Sequence, residues 1–220
     1  MKLLLCSEGF ATPELIQKGA ELVGKPQDQI SVGIINEAFA VERGDKRWML
    51  DNLQSVFDNF SAEVDIINLL ALSIEEVESR LANKDLIFVV GGDTDYLMSV
   101  YQKTGFDKLL PKLLESKVYV GSSAGSMVVG SRVSADAYRL IYSEDSKWDI
   151  DEYLGLVDLS VMPHLDSPDF PNRNESLIGA IGTFQGKVYG LRDDAAVVVD
   201  GEEIYTIGSD PVVVEKGVVL

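Results

Sequence analysis

Apolar positions along the chain follow two alternating rhythms. Short runs of consecutive aliphatic residues are separated by longer stretches in which apolar residues recur every three or four positions. The runs at 3–7, 30–35, 64–69, 86–90 and 118–120 read as strands. The run at 86–90 is apolar throughout, as a strand covered by helices on both faces must be. Helical patterns lie between the runs. Thr12-Pro13-Glu14 opens the first, with Thr12 as N-cap and Pro13 at the first helical position, where its missing N–H costs nothing. Residues 45–60 carry Met49, Leu53, Val56, Phe57 and Phe60 at helical spacing, with Trp48 beside them. Ser73 and Glu76 make a capping-box pattern at the start of a helix over 73–81, since each side chain can satisfy the other's backbone N–H. Strands alternating with helices at these intervals predict a mostly parallel sheet with helices on both faces.

Later in the chain the pattern changes. Runs at 156–162, 187–191, 195–199, 203–206 and 212–219 read as strands joined by short turns such as Asp200-Gly201, with a helix over 172–183. They predict antiparallel strands added at one edge of the sheet. No linker-like stretch, repeat or low-complexity tract divides the sequence, so residues 1–220 read as one α/β domain.

Composition narrows the function. The chain has 220 residues, 46% of them hydrophobic and 25% charged, which suffices for a large core. Lys and Arg total 19 against 36 for Asp and Glu, a net charge of −17. Such a surface repels phosphate backbones and anionic headgroups, so neither nucleic acid nor membrane is an expected partner. Cys6 and His164 are the sole cysteine and histidine. They exclude an internal disulfide, a cysteine-ligated zinc cage and a His-rich metal centre, and no metal is expected. The apolar start at Leu3-Leu4-Leu5-Cys6 is too short for a signal peptide or a spanning helix, so a soluble cytoplasmic protein is expected. Neither the phosphate-binding G-x-x-x-x-G-K-[ST] nor the dinucleotide-binding G-x-G-x-x-G occurs, and no cofactor is implied.

The chemistry concentrates at Gly121-Ser122-Ser123-Ala124-Gly125, a G-x-S-x-G between a strand and a helix. That context is the one a nucleophile elbow requires: the turn is tight, its neighbours must be small, and the serine hydroxyl is presented at the carboxyl end of the sheet. Register selects Ser123 over Ser122, because Ser122 would need glycine at the position of Val120. The N–H of Ala124 opens the helix, where an oxyanion would form. A serine needs a base, and His164, just past a strand end, is the one histidine on offer. Gly91-Gly92-Asp93-Thr94 is a second strand-to-helix turn. Its glycines let the backbone approach a reacting group and aim N–H groups at an anion. A packed small-residue turn with an Asp93 or Thr94 cap would use the same residues.

Taken in order, Gly91-Gly92-Asp93-Thr94, Gly121-Ser122-Ser123-Ala124-Gly125 and Met162-Pro163-His164 resemble the serine-dipeptidase family of aspartyl dipeptidase (dipeptidase E) and cyanophycinase. The resemblance implies a glutamine-amidotransferase-like α/β fold in which serine replaces the elbow cysteine. It implies Ser123 as nucleophile, His164 as base, and Gly91, Gly92 and Ala124 as oxyanion donors. The family's acid follows a Gly-Ile/Leu-x-Glu segment. Here that segment is Gly190-Leu191-Arg192-Asp193, which ranks Asp193 first, with Asp136 and Asp194 as alternatives. Arg173 falls on a family position written Arg-Glu, so it is the residue expected to bind the carboxylate of an N-terminal Asp. Residues 166–172 depart from the dipeptidase pattern. Tyr138, Tyr142 and Trp148 are candidates to wall the pocket or to pack against it.

The function this implies is a serine peptidase acting on dipeptides or short peptides near the N-terminus, with a small peptide as partner. Homodimers are common among such enzymes, although no unpaired apolar stripe marks an interface here. Two other readings use the same residues: an α/β-type esterase, and an inert binding module on the same fold. The esterase would place its histidine late, after the acid. An inert module would be expected to carry a degraded elbow. A glutamine-amidotransferase activity fails at the elbow, because Cys6 lies on the first strand.

Overall fold

A computed structural model describes residues 1–60, 62–142 and 146–220. In chain order, β1 (Lys2–Cys6) leads into α1 (Pro13–Val23), β2 (Ser31–Ile35) into α2 (Arg47–Asn59), and β3 (Glu63–Ile66) into α3 (Ile74–Ala82). β4 (Leu86–Val89) leads into α4 (Thr94–Thr104) and α5 (Phe106–Leu113), and β5 (Val118–Ser122) into the single turn α6 (Ala124–Met127). α7 (Ala135–Tyr142), β6 (Ser160–Leu165), α8 (Arg173–Ala180), β7 (Lys187–Arg192), β8 (Ala196–Asp200), β9 (Glu203–Ile207), β10 (Val212–Glu215) and β11 (Val218–Val219) follow.

The larger sheet has the order β3-β2-β4-β5-β1-β8-β9. Its first five strands pair in parallel, while β8 and β9 are added antiparallel. Side chains alternate across a strand, and here both sets are buried. Leu3, Leu5, Ile87, Val89 and Tyr119 fill one face. Leu4, Cys6, Phe88, Val90 and Val120 fill the other. That two-sided burial is why these strands read as unbroken apolar runs rather than as alternation. The helix starts follow the side-chain chemistry expected of them. Thr12 Oγ1 accepts from the Leu15 N–H at 3.3 Å, and Ser73 Oγ from the Glu76 N–H at 3.3 Å.

The later strands depart from a single extended edge. β8 and β9 do join the larger sheet, but β6, β7, β10 and β11 form a second sheet of order β11-β10-β7-β6. Within it β6 and β7 run parallel. The reason lies in what each face buries. Val161, Tyr189 and Leu191 pack into the main core. Met162, Leu165, Val188 and Val214 pack against Ala137, Ile141, Leu177 and Ala180 of α7 and α8. A sheet with its own helical cover must separate from the first. The apolar run at 212–219 is divided by a turn at Lys216-Gly217, both at positive φ. The run at 156–162 is displaced: Leu154 and Leu156 give their N–H groups to Val128 and Val129. β6 therefore begins at Ser160 and carries His164 near its end, rather than stopping short of it.

Candidate active site

The carboxyl ends of β1, β4 and β5 in one sheet and of β6 in the other line one cleft of about 530 Å³. That falls within the roughly 300–1,000 Å³ of clefts that take small ligands. Ser123 stands between β5 and α6 at φ 49° and ψ −111°. This is positive-φ backbone that a non-glycine residue adopts only when its surroundings impose it. The constraint is visible on all sides. The Ser123 N–H donates to the Ser7 carbonyl at 2.9 Å, and Ser126 Oγ donates to the Cys6 carbonyl at 2.7 Å. A Cβ on Gly125 would lie 2.3 Å from the Val89 carbonyl oxygen. Glycine at 125 is thus required for the elbow to sit against β4. Ser122 turns elsewhere and donates to Asn52 Oδ1 at 2.8 Å.

From Ser123 a chain of polar contacts runs across the two sheets. His164 Nε2 lies 3.0 Å from Ser123 Oγ, and His164 Nδ1 lies 2.7 Å from Asp193 Oδ1. An ionised Asp193 accepts only, so Nδ1 carries the ring proton and Nε2 is left to accept from the serine hydroxyl. Burial pushes the Asp193 carboxyl up. The hydrogen bond and charge of His164 and hydrogen bonds from Ser7 and Ser167 outweigh it, and the carboxyl rests below its ordinary value. His164 sits at φ 67°, and its ring stacks on Phe170 at 4.7 Å between centroids.

Gly92 lines the cleft, and Gly91 and Ala124 flank Ser123. A Cβ on Gly91 would lie 3.0 Å from Ser123 Cβ, and one on Gly92, at φ 138°, would lie 2.3 Å from the Ala38 carbonyl. Among the described residues none of the three gives its N–H to a backbone carbonyl.

Of the three candidate aspartates, Asp193 is the one brought to His164. Asp136 is exposed on α7 and pairs with Arg139 at 3.3 Å. Asp194 accepts from Ser209 Oγ at 2.6 Å. Arg173, at the start of α8, is buried and lines the cleft. Its guanidinium lies 4.8 Å from the ring centroids of both Tyr142 and Phe170, and no ion pair holds it among the described residues. Tyr138 and Tyr142 line the cleft. Trp148 instead packs on Tyr96 and donates to Asp93 Oδ2 at 3.2 Å.

Three residues were not singled out by sequence reasoning. Ser7 Oγ accepts from the His164 backbone N–H at 2.8 Å and donates to Asp193 Oδ1 at 3.0 Å. Glu8 lines the cleft beside it, and Phe170 backs the histidine. The available signal was position: polar residues directly after an apolar parallel strand lie where α/β sheets bind ligands. Glu8, His164 and Asp193 also offer ligand atoms within 4.8 Å of one another, a spacing a cation can bridge. The histidine in that set is already engaged on both ring nitrogens. Among the described residues no helix is long and apolar enough to cross a membrane.

Comparison with known proteins identifies the family. Residues 38–207 match the model of peptidase family S51. An uncharacterized peptidase of Listeria monocytogenes is 26% identical over 214 residues, covering 94% of this chain and 98% of that protein. Peptidase E of Streptomyces coelicolor is 29% identical over 131 residues, 56% of this chain and 52% of that protein. Among solved structures, a Listeria monocytogenes protein described as a peptidase E superposes with a TM-score of 0.74 at 23% identity, covering 95% of this chain and 98% of that one. A peptidase from an acI-B1 Actinobacterium gives 0.68 at 19% identity, covering 100% and 96%.

Proposed function

This chain belongs to peptidase family S51, and within it we propose a serine-type dipeptidase that releases the first residue of a dipeptide or short peptide, with a preference for N-terminal Asp. The observation that carries the reading is the continuous contact from Ser123 Oγ to His164 at 3.0 Å and on to Asp193 at 2.7 Å, on an elbow held at positive φ. In this reading Ser123 Oγ attacks the carbonyl carbon of the first residue while His164 Nε2 takes its proton. The oxyanion forms against the N–H groups of Gly91, Gly92 and Ala124. The imidazolium, steadied by Asp193, then protonates the leaving amine. An acyl-enzyme remains, and water activated by the same histidine hydrolyses it. Arg173 receives the side-chain carboxylate of the substrate: a buried guanidinium without an ion-pair partner is costly until an anion arrives, and planar bidentate pairing suits a carboxylate.

The reading predicts covalent chemistry at one atom. A fluorophosphonate should label wild type on Ser123 and leave Ser123→Ala unlabelled. Ser123→Ala should also lose peptide hydrolysis by about 10³-fold or more in kcat with an unchanged thermal melt. A folded Ser123→Ala protein with near-wild-type turnover would refute the mechanism.

A further inference from the structure

The cleft holds charges the triad does not use. Glu8 follows Ser7 directly, and Ser7 is tied to His164 and to Asp193. The register of β1 against β5, Cys6 opposite Ser122, fixes this corner beside the elbow. Glu8 is half-buried and lines the cleft. Its carboxyl lies within 4.8 Å of a ring nitrogen of His164 and an oxygen of Asp193. No lysine or arginine pairs with it among the described residues. A second carboxylate, Asp169, lines the same cleft. The cleft lining thus combines carboxylates, Glu8 beside His164 among them, with the buried guanidinium of Arg173.

We propose that Glu8, with Asp169 of the same cleft lining in support, receives the free α-ammonium group of the substrate, and that this contact restricts cleavage to the bond after the first residue. The proposal rests on the serine-peptidase reading and adds a substrate class to it: peptides with an unblocked amino terminus. The chemistry follows from position. The α-nitrogen of a first residue is one carbon removed from the carbonyl that Ser123 attacks, so an ammonium acceptor must stand close to the serine–histidine pair. Glu8 is the cleft carboxylate held there by its neighbours in sequence. Burial, then the negative charge of Asp193, push the Glu8 carboxyl above its ordinary value, against a downward pull from His164, and a hydrogen bond with Asp193 and then the charge of Asp169 add to the rise. The same crowding of negative charge favours an arriving cation, which relieves it. A peptide extended or blocked at its amino terminus would bring an uncharged amide to Glu8 and leave the carboxylate unpaired, which disfavours binding.

The experiment compares each peptide with its desamino twin: Asp-Leu with succinyl-Leu, and Ala-Leu with propanoyl-Leu. The second pair has a neutral first residue and is therefore independent of Arg173. Wild type should prefer the amine-bearing member of each pair by about 30-fold or more in kcat/KM, the scale of a charge-assisted contact. In Glu8→Gln that ratio should collapse to within about threefold, and Asp169→Asn should lower it partway. Calorimetric titration of Ser123→Ala with Ala-Leu and with propanoyl-Leu reads the same discrimination without turnover. Equal affinity for the two, or a ratio unchanged in a folded Glu8→Gln protein, overturns the proposal. Hydrolysis persisting in Ser123→Ala would instead overturn the serine mechanism, so the two failures are distinguishable.

Discussion

Removing one hydroxyl, in Ser7→Ala, tests whether His164, the proposed base, is held from the end of β1. Ser7 is fully buried and serves two partners at once, accepting from the His164 backbone N–H at 2.8 Å and donating to Asp193 Oδ1 at 3.0 Å. Hydrogen bonds to charged groups contribute about 1.5–3 kcal/mol, and a buried N–H left without an acceptor costs about 1–3 kcal/mol. The two losses share one site, so they do not add in full, and a total of about 2–4 kcal/mol is expected. In a chain of 220 residues that lowers Tm by roughly 4–16 °C, at about 2–4 °C per kcal/mol. The effect on kcat should be about 10- to 100-fold. That is smaller than the roughly 10⁴-fold expected for disabling a triad aspartate outright, because His164 and Asp193 still touch. KM should move little.

The pH dependence separates this account from a simple packing defect. Ser7 is among the groups that hold the Asp193 carboxyl below its ordinary value. A depressed carboxyl contributes stability that is present above its unfolded pKa, about 3.9 for aspartate, and is lost as pH falls through the lower folded value. Removing Ser7 raises the folded value and shrinks that contribution. The stability gap between wild type and Ser7→Ala should therefore be larger near neutrality than below pH ~4. Urea melts across that pH range measure the gap. A gap independent of pH, or wild-type kcat in the folded variant, would refute the reasoning.

Two further outcomes follow from the site. Asp193→Asn should cut kcat by roughly 10³-fold or more, with Asp136→Asn within about twofold of wild type; paired steady-state assays check the ranking, and the reverse ranking removes Asp193 from the triad. Arg173→Ala should lower kcat/KM for Asp-Leu about 30- to 150-fold and for Asn-Leu only slightly, and an equal loss on both would make Arg173 a packing residue between Tyr142 and Phe170.

The parallel sheet was legible because both faces of its strands are buried, so Leu3, Leu4 and Leu5 or Ile87, Phe88 and Val89 announce themselves as runs. The elbow was legible because steric crowding admits only small residues around Ser123, and that constraint is written locally as Gly121, Ala124 and Gly125. What was missed depends on contacts distant in sequence. Ser7 meets Asp193 across a separation of 186 residues, and nothing near either residue encodes the meeting. The second sheet was missed for a related reason. Strands such as β6 and β7 show apolar positions on both faces, but one face packs on the main core and the other on α7 and α8. A linear pattern records that a face is buried, not which layer buries it.

Charge distribution shows the same division between local and global. A net charge of −17 would by itself oppose an anionic substrate. Exposed carboxylates act through water, and their field is screened beyond roughly 8 Å at physiological salt. Arg173 is buried beside Tyr142 and Phe170, where effective dielectric is lower and a single charge acts more strongly on whatever enters the cleft. Phe170 also stacks on His164, so the residue that shields the guanidinium is the one that backs the proposed base. In the proposed reaction, substrate recognition and base orientation therefore share a side chain. Loosening Phe170 would weaken both together, whereas exposed carboxylates remote from the cleft can change with little effect on either.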